Sequence, residues 1–377
     1  MGRSLAVVIS GYYGFKNSGD EAVLQAIIQA LRNEAENKSI HLSITVLSAD
    51  PTWTMLQYSV QAVHRMKIFD VIKAIKSADA LISGGGSLLQ DVTGWKTIPY
   101  YLGIIYLAQR LKKQVFIYSQ GLGPVNRKMF NGWIAAVFNK CTMISVRDKD
   151  SAAYLNGIGI STDRILEVPD PVMGLKSGFY KPKEISKHLP AVIGVSVRFW
   201  QQDLRELIAI GKGLAELAKR RNVTFKILPF HQPSDAAASA KVCELMIKAG
   251  VPDERINWVI DAFDPLEMMR HVEQCDVLVG MRLHALIYAA TRCVPCAGIS
   301  YDPKIDRFLR QIDETAVAST GNLDAFKLTE RIEWLMDRKM EWIQTRLSRI
   351  QSLQELSVKP AQLILEALND NGREQTI

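Results

Sequence analysis

The chain has no dense block of lysine and arginine interleaved with aromatics, so nucleic acid is the weakest of the partners its charge permits. It has five cysteines, at 141, 243, 275, 293 and 296, an odd count set mostly in apolar surroundings. That argues against a disulfide framework. Cys293 and Cys296 form a C-x-x-C with no second pair, and Val294, Pro295 and Ala297 around it read as a turn into a buried strand rather than a zinc or redox site. The most apolar stretch, Thr97 to Gln109, falls short of the roughly 20 residues a spanning helix needs. A strand-like run opens the sequence, so no signal peptide is expected and the expected compartment is the cytoplasm. No short repeat and no metal-ligand cluster stands out, and no metal is expected.

What is present suits a soluble enzyme. The chain has 377 residues, 48% apolar and 23% charged. At roughly 100–200 residues per domain, two domains are the first expectation. The net charge of +7 fits a mildly basic soluble protein, with an acidic substrate or an anionic membrane surface as alternatives.

Strand-like runs alternate with helical periods. Leu5–Ser10 reads as a strand and Glu21–Ala35 as a helix, with Val23, Leu24, Ile27, Ile28 and Leu31 on one face. The alternation continues to residue 156, which predicts a mostly parallel sheet covered on both faces. Between Val172 and Leu189 it lapses into glycines, prolines and lysines, the composition of a linker. A second alternation runs from Val192 to Ser300, and residues 323–369 read as largely helical. The expected fold is α/β, two Rossmann-like doubly wound domains facing across a cleft. The expected boundaries are 1–175, a linker at 176–190, 191–325, and C-terminal helices and tail at 326–377. A C-terminal helix returning toward the first domain fits this plan.

Chemistry gathers at strand ends, where α/β folds collect ligands. Met281-Arg282-Leu283-His284 follows the apolar run Val277–Gly280 and opens an apolar helix. An arginine and a histidine there can hold a small anion and move a proton. Arg198, beside Trp200, ends the first strand of the second domain and can clamp a carboxylate or phosphate. His231, between Pro229 and Pro233, ends the next. In the first domain three glycine loops end consecutive strands: residues 11–21 with Tyr13, Asn17, Asp20 and Glu21; residues 83–91 with Gly84, Gly85, Gly86, Gln90 and Asp91; and residues 120–124. Glycines there leave room for a sugar or phosphate against the backbone. Simpler readings stand beside these: Asp20 as a helix cap, the triple glycine as a flexible connection, Arg147-Asp148 as an ion pair or cap.

Taken together, G-Y-Y-G-F-x-N-x-G-D-E, S-G-G-G-S-L-L-Q-D, S-V-R-D, L-P-F-H-x-x-x-D and M-R-L-H-A-L resemble the polysaccharide pyruvyltransferase family. The likeness is to its bacterial branch acting on the secondary cell-wall polymer that anchors surface-layer proteins. That resemblance implies a GT-B-like fold and phosphoenolpyruvate as co-substrate, held in the second domain, with no cofactor. It further implies a 4,6-ketal formed on a sugar acceptor, N-acetylmannosamine of a lipid-linked disaccharide. Arg282, Leu283 and His284 match the family's donor segment, and Arg198 and Arg147 fall on its other arginine motifs. Two departures stand out: Lys16 replaces a common glycine, and Phe199 a common proline.

The chemistry of the residues fits that implication. Phosphoenolpyruvate is doubly anionic and needs two cations: Arg198 and Arg282, with Arg147 third. His284 is the expected acid, Asp20 or Glu21 the expected base, and His231 an aid to phosphate departure. Tyr13, Asn17, Gly84, Gly85, Gly86, Gln90 and Asp91 are expected on the acceptor side. The aromatic stretches 95–106 and 133–138 are either core-facing helices or a peripheral contact with the inner face of the membrane that carries the acceptor. The competing reading is a nucleotide-sugar glycosyltransferase of the same build. Against it, the segment 285–290 lacks the acid that such enzymes use to hold a ribose.

Overall fold

A computed structural model describes residues 3–91, 94–175, 185, 189–260, 262 and 264–374, with side chains up to residue 370. The chain divides into two compact units. Unit 1 comprises residues 1–15, 20–175 and 353–377, and unit 2 comprises residues 16–19 and 176–352. Most of the expected linker, residues 176–184 and 186–188, lies outside the described residues.

Unit 1 is built from β1 (Ser4–Ser10), α1 (Ser18–Asn37), β2 (His41–Ser48), α2 (Pro51–Tyr58), β3 (Gln61–His64), α3 (Ile68–Ser77) and β4 (Ala80–Ser83). There follow β5 (Gly86–Leu89), α4 (Thr97–Arg110), β6 (Gln114–Leu122), α5 (Met129–Phe138), β7 (Met143–Val146), α6 (Lys149–Gly157) and β8 (Ile165–Glu167). Its eight-stranded sheet runs β3-β2-β1-β4-β6-β7-β8, with β5 paired to β6, and the pairings are parallel. Because the strands are parallel, each connecting helix starts at the carboxyl edge of the sheet. β4 is buried throughout, and so is all of β6 after Gln114. This is what a strand covered on both faces requires. α4 buries Ile98, Tyr101, Leu102, Ile105 and Ala108 in a core shared with Val71 and Ile75 of α3 and Phe130 and Ile134 of α5. Each large aliphatic buried there contributes about 1.5–3 kcal/mol relative to exposure.

Unit 2 repeats the plan with β9 (Ala191–Ser196), α7 (Arg205–Arg220), β10 (Val223–Ile227), α8 (Ser234–Lys248), β11 (Ile256–Trp258), α9 (Pro265–Glu273) and β12 (Val277–Gly280). It continues with α10 (Leu283–Thr291), β13 (Cys296–Ser300), α11 (Pro303–Gln311), β14 (Ala318–Ser319) and α12 (Ala325–Asp337). Its six-stranded parallel sheet runs β11-β10-β9-β12-β13-β14. The five cysteines are free thiols.

The segment 326–377 divides between the units instead of forming a separate part. α13 (Lys339–Ser357) begins in unit 2 and passes at residue 353 into unit 1, to which α14 (Lys359–Glu374) also belongs. The reason is the apolar stripe Ala361, Ile364, Leu365 and Leu368 on α14, all buried. Among the described residues, no helix is long and apolar enough to cross a membrane, and no group of three or more His, Cys, Asp or Glu side chains could hold a metal ion.

Candidate active site

In unit 2 the candidate side chains stand at the carboxyl ends of four adjacent strands. Arg198 follows β9, His231 follows β10, Arg282 follows β12 and Tyr301 follows β13. Arg282 occupies the N-cap position of α10 without a side-chain cap bond, which leaves its guanidinium for other work. That work is an ion pair with Asp235. Arg282 Nε donates to Asp235 Oδ2 at 2.9 Å, and Nη2 donates to Oδ1. Asp235 is fully buried and also accepts the main-chain N–H of His231 at 3.0 Å. Arg282 is therefore held by a two-pronged pair that ties the β12 end to the β10 end. Sequence reasoning quoted Asp235 within a motif but gave it no role.

Arg198 donates from Nη1 to the Tyr301 hydroxyl at 3.1 Å, and its guanidinium lies 4.8 Å from the Tyr301 ring centre and 5.5 Å from that of Trp200. The loop that carries it is fixed from below. Glu206, fully buried at the start of α7, accepts the N–H groups of Trp200 at 3.0 Å and Gln201 at 3.1 Å through Oε1. Burial, and next the Arg282 guanidinium, hold the His231 imidazole below its ordinary pKa; Asp235 opposes them and Arg198 adds to the lowering. His231 is thus biased toward the neutral form in the free protein. His284 is the second residue of α10, half-buried, and its ring fills the space over Gly19, where a Cβ would collide with it. The segment 16–19 is held in unit 2 by Ser18 N–H donating to the Phe230 carbonyl at 3.0 Å and by the Tyr288 hydroxyl donating to the Ser18 carbonyl at 3.0 Å. Asn17 spends its Oδ1 on the Gly19 N–H at 3.1 Å, and it groups with unit 2, not with the loops expected to hold an acceptor. The Leu283 side chain is buried, so what it can offer an anion is its main-chain N–H at the amino end of α10.

Unit 1 corrects several expectations. Glu21 is fully buried, with Oε1 accepting the Gly14 N–H at 2.9 Å and Oε2 the Tyr58 hydroxyl at 3.0 Å, so it braces the first glycine loop instead of facing a substrate. Asp20 is half-buried in the first turn of α1, its Oδ1 near Gly86. Tyr13 is fully buried, and its ring and hydroxyl fill the space beside Gly11 and Gly84. The space at Gly85 is taken by Val23 and Pro171. At both Gly84 and Gly85 the space a side chain would need is taken by protein. Gly86, at φ 92°, is the one whose Cβ would meet only the Asp20 carboxylate. Gln90 is half-buried at the end of β5. Asp91 is buried and accepts the N–H groups of Asn126 and Arg127, each at 2.8 Å, bonds that outweigh burial and lower its pKa. It closes a loop. Arg147 is buried in unit 1, with Nη1 on Asp170 at 3.0 Å and Nη2 on Ser87 Oγ at 2.7 Å, and it lies over Gly121. That makes it a brace between loops of unit 1. Asp148 caps α6 by accepting the Ser151 N–H at 2.8 Å.

Arg65, absent from the sequence reading, ends β3. Its guanidinium lies 4.4 Å from the Tyr100 ring centre, 5.4 Å from Phe15 and 5.5 Å from Tyr101, and Phe15 stacks on Tyr12 at 4.0 Å. Burial pushes the Tyr101 phenol up to about 12 against the pull of Arg65. Nothing in the local sequence marks Arg65, since its rings come from two segments remote from it.

Two parallel α/β sheets of this order, one in each unit, are the build of the GT-B fold. Solved structures agree on the fold. A glycosyltransferase from Rickettsia africae matches at a TM-score of 0.67 and 12% identity, over 98% of this chain and 99% of that one. UDP-GlcNAc 2-epimerase from Neisseria meningitidis matches at 0.61 and 10%, over 97% and 100%. Anabaena HepE, solved with UDP-glucose, matches at 0.62 and 11%, over 97% and 100%. The chain belongs to the polysaccharide pyruvyl transferase family, whose sequence model matches residues 17–303. It is 24% identical over 278 residues to the amylovoran biosynthesis protein AmsJ of Erwinia amylovora, a match spanning 65% of this chain and 62% of that protein.

Proposed function

We propose that the protein transfers pyruvate from phosphoenolpyruvate to a sugar as a 4,6-ketal and releases phosphate. The acceptor we assign is N-acetylmannosamine in a lipid-linked disaccharide, and the pathway is synthesis of the secondary cell-wall polymer that anchors a surface layer. The observation that carries this reading is the set of strand-end groups in unit 2, where His231, Arg198 and Arg282 follow the adjacent strands β10, β9 and β12. A carboxylate and a phosphate on a three-carbon ester need two cations, and Arg198 and Arg282 are our candidates.

In the proposed reaction His284 delivers a proton to C3, which becomes a methyl group while C2 turns electrophilic. One sugar hydroxyl adds to C2. The C2–O bond to phosphorus's oxygen then breaks, with its electron pair leaving on phosphate, and the second hydroxyl adds to the resulting cation. Of the two hydroxyl protons, one replaces that used at C3 and the other leaves on hydrogen phosphate. With Glu21 committed to the loop, Asp20 is our candidate to accept the first. No cofactor or metal enters this scheme. The test is incubation with phosphoenolpyruvate and an aryl-tagged N-acetylmannosamine disaccharide. Phosphate release in step with ketal formation is expected, and Arg282→Ala and Arg198→Ala should each abolish it. Turnover of a nucleotide sugar with phosphoenolpyruvate left intact would replace this reading with a glycosyl transfer.

A further inference from the structure

α3, α4 and α5 are successive neighbours on one face of the unit 1 sheet, and each starts at its carboxyl edge. At those starts the chain exposes large apolar side chains: Met66 (67%), Ile68 (51%) and Phe69 (84%) before and in α3, Trp95 (55%) before α4, and Met129 (58%) and Trp133 (48%) in α5. A soluble surface seldom gathers so many, because each leaves apolar area in water. The positions are ordered. Trp133 meets the buried Phe130 edge-on at 5.5 Å, and Lys96 lies 5.7 Å from the Trp95 ring centre. Interleaved with these groups are exposed Lys67, Lys96, Arg127 and Lys128, and residues 65–70, 94–97 and 126–133 contain one acid, Asp70.

We propose that this ridge docks unit 1 on an anionic lipid bilayer. Indoles and large aliphatics favour the headgroup–acyl boundary, and lysines beside them meet lipid phosphate. A protein partner fits less well, since the cores of protein interfaces are depleted in lysine. The inference deepens the function proposed above, because a lipid-linked acceptor lies in such a surface, yet its test makes no use of pyruvyl transfer and so can fail separately.

The test is flotation of the full chain with vesicles of phosphatidylcholine alone and of phosphatidylcholine mixed with phosphatidylglycerol. The chain is expected to float with the mixed vesicles, to float less with the neutral ones, and to lose binding as salt rises. Each of Lys67→Gln and Lys128→Gln should cost about fivefold in partitioning. Phe69→Ser combined with Trp133→Ser should abolish flotation while leaving thermal unfolding at wild-type values. Wild-type chain that stays at the bottom with both vesicles would overturn the proposal. So would equal flotation of the Phe69→Ser, Trp133→Ser variant, or self-association abolished by those substitutions with no lipid binding.

Discussion

Gly14 and Lys16 both adopt positive φ, 80° and 56°, where a side chain costs about 1–2 kcal/mol. At Gly14 there is also no room, since a Cβ would press on Ser48 Oγ and come within 2.6 Å of Asp50 N and 2.8 Å of Ala49 N. Gly14→Ala is therefore expected to destabilise unit 1 by more than about 2 kcal/mol. Lys16→Gly, which restores the residue common in the family, should be neutral or stabilising by up to about 1 kcal/mol. Urea denaturation of both variants checks the pair, and an unchanged midpoint for Gly14→Ala would contradict the argument. Asp235 and His231 carry the second residue-scale expectation. Losing a charge-assisted bond on Arg282 costs about 1.5–3 kcal/mol, so Asp235→Ala should raise the KM for phosphoenolpyruvate roughly 10- to 100-fold. A bound anion stabilises the His231 imidazolium, so binding takes up a proton. Affinity should rise as pH falls, levelling off at the free-protein pKa below the ordinary value, and His231→Gln should flatten the slope in calorimetric titrations. Folding has the opposite pH dependence. The unfolded chain takes this proton first, so stability falls as pH drops below about 6.5.

At the scale of elements, the strand expected at Leu5–Ser10 and the helix expected at Glu21–Ala35 lie within β1 and α1, because each is an apolar pattern of clear period. α2 is not visible that way. Thr52, Trp53 and Thr54 favour strands, and the start signal, Asp50 capping the Trp53 N–H ahead of Pro51, is only two residues long. β5 hides behind the glycines of its own loop. The site divides along the same line. That Arg198, His231, Arg282 and His284 stand at strand ends is legible locally, whereas what Glu21, Asp91 and Arg147 touch is not. Their partners are remote in sequence, Tyr58 for Glu21, Asn126 for Asp91 and Asp170 for Arg147, and no local pattern reports a long-range brace. Glu314 is another such brace. Buried after α11, it accepts from Trp342 Nε1 at 2.8 Å and Arg331 Nη2 at 2.7 Å, and it pairs with Arg346 at 3.2 Å, joining α12 and α13 to its own turn. Glu314→Ala leaves two guanidinium groups and an indole N–H without their acceptor. It should cost about 3–5 kcal/mol, measured by urea denaturation of unit 2. A cost below about 1 kcal/mol, the range of surface pairs, would show that solvent already screens the cluster.

The whole molecule is threaded so that unit 1 is finished by the last part of the chain. Residues 353–374 return to it after all of unit 2 has been made. They bury Ile364 and Leu365 fully. Ser357 and Val358 lie so close to Gly174 that a Cβ there would meet both, and the Arg3 guanidinium reaches Asn369. Removing this segment would expose the apolar stripe's partners on unit 1, each fully buried aliphatic being worth about 1.5–3 kcal/mol. The loss falls on one unit only, because α12 and the part of α13 up to Ser352 stay with unit 2. A chain ending at Ser352 should therefore show weakened amide-exchange protection in β1, β4 and β6 and unaltered protection in β9, β10 and β12. Equal loss in both sheets would mean that the two units unfold as one cooperative block. Retained protection in β6 would mean that α14 covers a surface unit 1 can leave bare. If the first pattern holds, unit 1 cannot reach full stability during synthesis until the C-terminal segment is available, and the order in which the units form is set by threading rather than by position in the sequence.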